Sequence, residues 1–290
     1  MIRSFEKIAL LAPATINGIA DILTDLVRFL HSQQRDIVCE TNTANLLETR
    51  DVNTVSHEEL GKNSDLIIVV GGDGSILRAA KNAARYQTPI LGINSGKLGF
   101  LTDVRPLDMA VSLTKILQGE FWTSQRFLLQ IHTDNHHHGV ALNDCILSSS
   151  YIPHMIELEL HVDKEFVCSH RADGLIIATP TGSTAYALSG GGPILHPKID
   201  GLVILPIFSH SLTSRPIVVP GNSTVSIQLS LHHHSAAHIS CDGEDILGTV
   251  VPGSQVHITK HRHNICLIHP LEYDFYQSLR SKLHWGKALM

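Results

Sequence analysis

The stretch Asp65-Leu-Ile-Ile-Val-Val-Gly-Gly-Asp-Gly-Ser75 joins an uninterrupted apolar segment directly to a glycine-rich turn. Residues 65–70 have the length and β-branched composition of a buried strand, and residues 76–85 have the apolar spacing of a helix. A strand that passes through a tight turn into a helix is the repeating unit of an open, mostly parallel sheet. This stretch therefore predicts an α/β domain with a Rossmann-like open parallel sheet.

The same alternation of strand and helix extends on both sides of this stretch. Residues 7–11 and 90–93 read as strands, and residues 18–30 and 107–118 have helical spacing. We therefore expect one α/β domain over residues 1–122.

The character of the chain changes after residue 121. Seven strand-like segments follow, separated by turn residues: 128–132, 140–148, 156–162, 175–178, 202–206, 224–231 and 256–259. We therefore expect a second, β-rich domain over residues 123–270. Residues 273–285 have helical spacing again, so residues 271–290 are expected to return to the first domain and complete it.

Composition and charge exclude several classes of protein. The 290 residues are 43% hydrophobic and 17% charged, which is typical of a globular protein, and the formal net charge is -5. This charge gives no general attraction for nucleic acid, which is not an expected partner. The longest apolar stretches are far shorter than a membrane span, so no membrane partner is expected. Residues 1–13 read as a first strand rather than a signal, so a cytoplasmic location is expected. Five cysteines without a C-x-x-C pair are expected to be reduced core residues.

The 20 histidines include two runs, residues 136–138 and 232–234. Neighbouring histidines in a strand point to opposite faces, which disfavours a shared metal ion. We expect both runs to form solvated turns, and a metal site in them remains an alternative.

The turn Gly71-Gly72-Asp73-Gly74 has the features of a phosphate-binding loop. Glycines let backbone N–H groups approach phosphate oxygens, and the N-terminus of the following helix favours negative charge. Asp73 could accept a proton from an attacking hydroxyl or meet a magnesium ion; the alternative is that it only caps the helix. The spacing of a Walker loop and of G-x-G-x-x-G is absent, so both common nucleotide loops are excluded.

Two further stretches carry groups that suit a sugar. Residues 171–189 set a strand against a loop with six hydroxyl side chains: Thr179, Thr181, Ser183, Thr184, Tyr186 and Ser189. Neutral hydroxyls can bind ribose and base edges, and Asp173 could accept from an amide or a ribose hydroxyl. Asn143 and Asp144 place an amide beside a carboxylate, which can bind vicinal ribose hydroxyls or simply end a strand.

Taken together, these motifs closely resemble the NAD kinase family. The likeness runs in order from about residue 65 to residue 285 and rests on Gly71-Gly-Asp-Gly74, Asn143-Asp144, Arg171-Ala-Asp-Gly174 through Ser189, Cys241-Asp242-Gly243 and the ending from His269-Pro270 to Trp285. The resemblance implies an α/β domain completed by the C-terminal helix and an all-β, sandwich-like second domain. It implies transfer of the terminal phosphoryl group of ATP to the 2′-hydroxyl of the adenosine ribose of NAD, giving NADP.

The resemblance also implies roles for single residues. Asp73 would be the proton acceptor, Gly71, Gly72 and Gly74 would face the transferred phosphoryl group, and Phe100 would pack against adenine. Asn143 and Asp144 would hold ribose hydroxyls, and Asp173 and Ala185 would meet the nicotinamide. The remaining residues implied to contact the dinucleotide are Arg78, His154, Arg171, Thr181, Thr184, Tyr186, Ser189 and Glu244.

Three positions depart from the pattern of that family. Asp144 stands where the family usually has Glu, so its shorter side chain must come closer to the ribose or use a water. Ser75 replaces the more familiar Thr or Asn. Glu244 stands where a Gln is common and adds a negative charge near the ligand.

The resemblance implies further partners and leaves other functions open. Mg²⁺ or another divalent cation would accompany ATP, polyphosphate is an alternative donor, and a homodimer or homotetramer is expected. Because lipid kinases of the diacylglycerol type share a similar Gly-Gly-Asp-Gly loop, a lipid kinase is one alternative. A non-catalytic NAD-binding sensor is another.

Overall fold

The computed structural model describes residues 5–15, 18–48, 52–62, 64–96, 99–134, 138–149, 155–231 and 236–286, with the side chains of residues 245–247 left aside. The chain forms two compact units. Unit 1 comprises Met1–Gln125 and His263–Met290, and unit 2 comprises Arg126–Arg262.

Unit 1 is built on a parallel sheet. Its strands lie in the order β3, β2, β1, β4 and β5, with bounds β1 Lys7–Leu11, β2 Asp36–Glu40, β3 Asn53–Val55, β4 Leu66–Gly71 and β5 Ile90–Asn94. The last strand of the chain, β17 (Gln255–Pro270), pairs in parallel with β5 at Leu267 and Ile90. All six residues of β4 are buried, as expected for a central strand covered on both faces. The predicted open parallel sheet is confirmed.

The longer helices of unit 1 each bury one side against the core. The helix bounds are α1 Ile19–Ser32, α2 Thr41–Ala44, α3 Asp73–Tyr86, α4 Met109–Leu117 and α6 Phe275–Leu283. The C-terminal helix belongs to unit 1, as expected. The buried face of α3 is made mostly of alanines, which let this helix approach the sheet closely. Residues 36–44 and 53–55 form β2, α2 and β3, elements that the sequence patterns did not predict.

Unit 2 contains two antiparallel sheets. One has the order β10, β9, β14 and β17, and the other has the order β13, β12, β11, β8, β15 and β16. The bounds are β6 Phe121–Thr133, β7 His138–Ala141, β8 Asp144–Ser149, β9 Ile156–Val162, β10 Glu165–Ala172, β11 Gly174–Ala178, β12 Gly201–Ile207, β13 Ile217–Pro220, β14 Val225–Leu229, β15 Ala237–Cys241 and β16 Glu244–Val250.

Apolar side chains from both sheets share one buried core, including Leu147 and Leu175 from one sheet and Leu158 and Ile227 from the other. Face-to-face packing of this kind is a β-sandwich. The predicted sandwich-like domain is confirmed.

The helical and strand predictions were wrong in several details, and β10, β13, β15 and β16 were not predicted. The segment 140–148 is two strands, β7 and β8, because the chain turns at Leu142 and Asn143. Helix α3 begins at Asp73 rather than near Ile76. A short helix, α5 (Tyr186–Ser189), follows a 3-10 turn within the hydroxyl-rich stretch.

Two absences apply to the described part of the chain. No helix there is both long and apolar enough to cross a membrane. The five cysteines are free thiols, and Cys39, Cys145 and Cys241 are buried.

Candidate active site

The glycine loop of unit 1 lies where β4 ends and α3 begins. A side chain at Gly71 would collide with the hydroxyl of Ser75, so this position has no room for a larger residue. Gly72 and Gly74 have open space where a side chain would stand, which leaves their backbone accessible. The loop therefore offers backbone groups at the N-terminus of a 14-residue helix, where negative charge is favoured.

Asp73 holds a second loop through two hydrogen bonds. Its carboxylate accepts from the backbone N–H of Phe100 at 2.8 Å and of Leu101 at 3.0 Å. Gly72 occupies the N-cap position, so the alternative in which Asp73 only caps the helix was wrong. A side chain at Gly99 would overlap the Asp73 carboxylate, which explains the glycine. The two N–H groups offset part of the negative charge that Asp73 brings to the loop.

The strand β5 supports the residues that contact Asp73. The side-chain amide of Asn94 donates to the hydroxyl of Thr102 at 2.9 Å, and both residues are buried. A side chain at Gly92 would lie 2.8 Å from backbone atoms of Leu101 and Thr102. The loop that donates to Asp73 is therefore fixed against the sheet as well.

A buried histidine ties the C-terminal segment to the same part of unit 1. His269 is fully buried, with Nδ1 paired to the carboxylate of Asp103 and Nε2 2.7 Å from the hydroxyl of Ser124. Its ring stacks on Trp122 and on Tyr273, with centroid distances of 4.3 and 4.4 Å, and these two rings also contact each other at 5.4 Å. The pairing with His269 fixes Asp103, the residue that follows Thr102. The C-terminal segment therefore supports the loop whose backbone donates to Asp73.

Two more predicted site residues belong to unit 1. The ring of Phe100 is partly exposed, and the ammonium of Lys282 lies 5.7 Å from its centroid. Arg78 is exposed on α3, and its carbonyl accepts from Nε2 of His57 at 3.2 Å. Within unit 1 the structure therefore brings together Asp73 and the backbone of Phe100.

In unit 2, the turn at Leu142, Asn143 and Asp144 has every backbone polar group satisfied. The carboxylate of Asp242 accepts from the three N–H groups at 2.8, 2.7 and 3.3 Å. Thr179 donates its hydroxyl to the carbonyl of Leu142 at 2.6 Å and its N–H to that of Asn143 at 2.8 Å. The N–H of Asp242 donates to the carbonyl of Asp144 at 3.0 Å. The backbone is thus fixed without using the side chains of Asn143 and Asp144.

Asp144 is a buried acid with an unusual proton affinity. Its side chain is 3% exposed, and burial together with the nearby charge of Asp242 raises its pKa to about 7. The neighbouring thiol of Cys145 is hydrogen-bonded to Cys241 across the strand pair, and this contact and burial raise its pKa. Asp144 therefore changes its charge near neutral pH.

Part of the hydroxyl-rich stretch is structural. Thr179 and Ser183 are fully buried. The hydroxyl of Ser183 donates to the carbonyl of Pro180 at 2.6 Å and accepts from the N–H of Leu195 at 2.9 Å. A side chain at Gly182 would overlap the carbonyl of Asn143, so the glycine permits the close approach of the two motifs.

The rest of the stretch is nearer the surface. The hydroxyl of Thr184 donates to the carbonyl of Thr181 at 3.1 Å, and Thr181 itself is buried. Ala185 is partly exposed, and Tyr186 and Ser189 are exposed. Their exposed groups are the ones available to a ligand.

The remaining predicted residues are spread over unit 2. Arg171 and Asp173 are exposed, at the end of β10 and in the link to β11. Glu244 is exposed and begins β16, where it pairs with Cys241. His154 lies outside the described residues. Within unit 2 the structure joins the Asn143–Asp144 turn to the stretch around Thr179 and to the turn that precedes Glu244.

The sequence predicts Thr179 only as a possible ligand contact, includes Asp242 only within a motif and gives Gly99 no role, yet all three residues build these sites. Gly99 and Thr179 act through close approach and backbone contacts, and Asp242 binds three amides that lie about 100 residues away. The Asp242-Gly243 pair signals a tight turn, which could have identified the turn but not its partner.

The histidine runs are only partly described. His136, His137 and residues 232–235 lie outside the described residues. Nδ1 of His138 lies 2.6 Å from Nδ1 of His132, across paired strands. Within the described ranges, no group of three or more His, Cys, Asp or Glu side chains could hold a metal ion.

Comparisons with known proteins extend over nearly the whole chain. Residues 19–121 match the ATP-NAD kinase N-terminal domain, and residues 142–269 match the ATP-NAD kinase C-terminal domain. The NAD kinase of Pseudomonas fluorescens (strain SBW25) is 44% identical over 289 residues, covering 98% of this chain and 97% of the relative. The NAD kinase of Ectopseudomonas mendocina (strain ymp) is 42% identical, covering 99% and 98% of the two chains.

Two solved structures share the fold. An NAD kinase from Archaeoglobus fulgidus in complex with ATP has a TM-score of 0.76 at 25% identity, covering 96% of this chain and 98% of that one. Yeast NADH kinase complexed with NADH has a TM-score of 0.88 at 22% identity, covering 99% and 89%. The two domain matches cover most of the chain, and the relatives match it over almost their full length. The chain therefore belongs to the NAD kinase family.

Proposed function

We propose that this chain transfers the terminal phosphoryl group of ATP to the 2′-hydroxyl of the adenosine ribose of NAD, giving NADP and ADP. The observation that carries the proposal is the position of the Asp73 carboxylate. It is held by two backbone N–H groups at the N-terminus of α3, within the glycine loop of a chain of this family. The relatives that are more than 40% identical over almost the whole chain are named NAD kinases. The alternative of a non-catalytic sensor has no observation in its favour.

In this mechanism Asp73 acts on the ribose hydroxyl. A carboxylate has about four lone-pair positions, so two amide hydrogen bonds leave capacity for a third donor. The 2′-hydroxyl would donate to Asp73 and pass its proton there as its oxygen forms a bond to the terminal phosphorus of ATP. The bond from that phosphorus to the bridging oxygen breaks, and ADP leaves. General base assistance of this kind contributes a factor of about 10² to 10⁴.

The glycine loop would face the transferred phosphoryl group. Gly72 and Gly74 leave room for phosphate oxygens, and the first turn of α3 supplies N–H groups. Mg²⁺ or another divalent cation would arrive bound to the phosphates of ATP, as part of the donor substrate. It would neutralise charge on the transferred group.

The residues of unit 2 would bind NAD. Asn143 and Asp144 present an amide and a carboxyl group from a fixed backbone, and these would hold ribose hydroxyls. Because Asp144 is shorter than Glu, its buried position requires the ribose to approach closely or through a water. Asp173 and Ala185 would meet the nicotinamide.

The other proposed contacts of the dinucleotide follow the motif of the family. Phe100 would pack against adenine, and the peripheral contacts would come from Arg78, His154, Arg171, Thr181, Thr184, Tyr186, Ser189 and Glu244. The exposure of Tyr186 and Ser189 suits a surface that a ligand covers.

We also propose a cytoplasmic homodimer or homotetramer. Five free thiols, three of them buried, suit a reducing compartment. Sedimentation velocity of the purified chain tests the assembly, and a monomer at micromolar concentration would contradict it. Fractionation of expressing cells, followed by immunoblotting, tests the location.

The test of the activity is a coupled assay for NADP. The purified chain should form NADP from NAD when ATP and Mg²⁺ are present, and no product when either is omitted. Parallel reactions with polyphosphate in place of ATP define the donor, and reactions with NADH define the acceptor. Phosphorylation of diacylglycerol without formation of NADP would replace the proposal with a lipid kinase.

A further inference from the structure

The hairpin that joins β15 to β16 presents a carboxylate from an unusual backbone. Asp242 and Gly243 both have positive φ, 55° and 79°, and Cys241 pairs with Glu244 across them. Two positive φ values in a two-residue loop are typical of a tight hairpin turn, and Asp and Gly are residues that tolerate this conformation. The turn therefore fixes where the side chain of Asp242 begins.

The carboxylate of Asp242 collects the amides of the proposed ribose-binding turn. It accepts from Leu142, Asn143 and Asp144, while its own N–H returns a bond to the carbonyl of Asp144. Three N–H groups that converge on one carboxylate can be held together only while that acceptor is present, because buried amides need a partner. The direction of the Asn143 and Asp144 side chains depends on this contact.

We propose that Asp242 is a positioning residue for NAD: it orients Asn143 and Asp144 toward the ribose and does not itself touch the substrate. The inference rests on the proposed function, since it takes Asn143 and Asp144 as the ribose-binding pair. Under this proposal, the turn between β15 and β16 contributes to the binding of the dinucleotide and does not affect the binding of ATP.

The negative charge of Asp242 also affects the pKa of Asp144, and this effect gives a second test of the proposal. Asp242 is one of the causes that raise the pKa of Asp144, after burial. The titratable groups near this pair include the thiols of Cys145 and Cys241 and the exposed carboxylate of Glu244, which pairs with Cys241. Replacing Asp242 by a neutral residue removes the repulsion between the two carboxylates. The pKa of Asp144 then falls, and the pH midpoint of any step that depends on Asp144 moves to lower pH.

The chain offers a matched control. Asp163 lies in another tight turn, between β9 and β10, with a φ of 52°, and its carboxylate accepts from the N–H of Thr224 at 2.8 Å. Asp163→Asn therefore removes the same charge from the same kind of turn in the same unit, but touches neither Asn143 nor Asp144.

The experiment compares Asp242→Asn with Asp163→Asn in the full-length chain. Asp242→Asn should raise the KM for NAD and its Kd by about 10- to 100-fold, as expected for a hydrogen-bond network worth 1–3 kcal/mol. The KM for ATP should stay within twofold, and the pH midpoint of NAD binding should move to lower pH. Asp163→Asn should change none of these values.

Asp242→Glu keeps the negative charge at this position and lengthens the side chain by one methylene group. This variant keeps the repulsion toward Asp144, so the pH midpoint should stay in place while the KM for NAD takes an intermediate value. A normal KM for NAD in Asp242→Asn, or equal losses for NAD and ATP, would overturn the proposal. Unfolding of both variants at 25 °C would also overturn it, because Asp242 would then act on stability.

Failure of the proposed function gives a different result. If the unaltered chain binds NAD but forms no NADP, the proposed activity fails, and the Kd comparison still tests Asp242. If the chain is active and Asp242→Asn binds NAD normally, only the positioning role fails.

Discussion

Asp73 in unit 1 and Asp242 in unit 2 make the same kind of hydrogen-bond contact, but the two contacts serve different purposes. Each carboxylate leaves a glycine-containing turn and gathers backbone N–H groups from a distant loop: two for Asp73 and three for Asp242. In unit 1 the residue that holds the loop is also the proposed proton acceptor. In unit 2 the two tasks are divided, since Asp242 holds the turn and Asp144 is the proposed contact of the ribose.

This difference predicts different costs of substitution. A residue with both tasks cannot be changed without loss of the chemical step, whereas a residue that only holds a turn should affect the affinity for one substrate. Variants of the two regions therefore separate kcat from KM.

The largest expected effect is that of Asp73→Asn. The amide cannot accept the ribose proton, so kcat should fall by about 10² to 10⁴. Because β5 also fixes the loop of Phe100, the Kd for NAD should change by less than about threefold. Steady-state kinetics and a calorimetric titration with NAD measure the two quantities. Asp25→Asn, which removes an exposed carboxylate from α1, is the control and should leave both unchanged. Turnover within tenfold of normal in Asp73→Asn would refute its role.

A smaller loss is expected for Gly99→Ala. The added methyl group overlaps the carboxylate of Asp73, so this side chain must move, and displacement of a catalytic group by about 1 Å can cost up to 10²-fold. We expect kcat to fall by about 10- to 100-fold. Gly96→Ala is the matched control, since its added methyl group meets no atom within 4 Å. Equal activity of the two variants would show that Asp73 tolerates the shift.

The smallest expected effect concerns stability and pH at Asp144. Because its folded pKa, about 7, lies above its ordinary value, the native chain keeps a proton that the unfolded chain loses. Stability from this group is therefore fully present only below the ordinary value of 3.8, and it is lost as the pH rises through about 7. Asp144→Asn should come closest to the unaltered chain near pH 3.5 and exceed it at pH 8, by on the order of 1–3 kcal/mol. Urea unfolding at both pH values measures this, and a gain that is independent of pH would contradict it.

Local patterns in the sequence identify the part of the fold that local physics determines. The strand, the glycine turn and α3 follow from a continuous apolar run, three glycines and helical spacing, so the open parallel sheet was predicted correctly. The short strands β2 and β3 lack such a pattern. Strand β2 pairs with β1, and β3 pairs with β2, so each forms against a strand that is already in the sheet.

The sites were predicted less completely because their contacts are distant in sequence. Residues 140–148 read as one strand, since their apolar residues give no sign of the turn at Asn143. That turn is fixed by Asp242 and Thr179, which lie 99 and 36 residues away. In the same way, the partners of Asp73 lie 27 and 28 residues along the chain. A resemblance to a family identifies such residues, but it does not say which of them hold the others in place.

The most direct test of this division of tasks is a paired measurement of kcat and of the Kd for NAD in Asp73→Asn and Asp242→Asn. The account predicts that Asp73→Asn loses kcat and keeps its affinity, whereas Asp242→Asn loses affinity and keeps most of its kcat at saturating NAD. If both variants change the same quantity by the same factor, the two carboxylates have one task in common and the account is wrong.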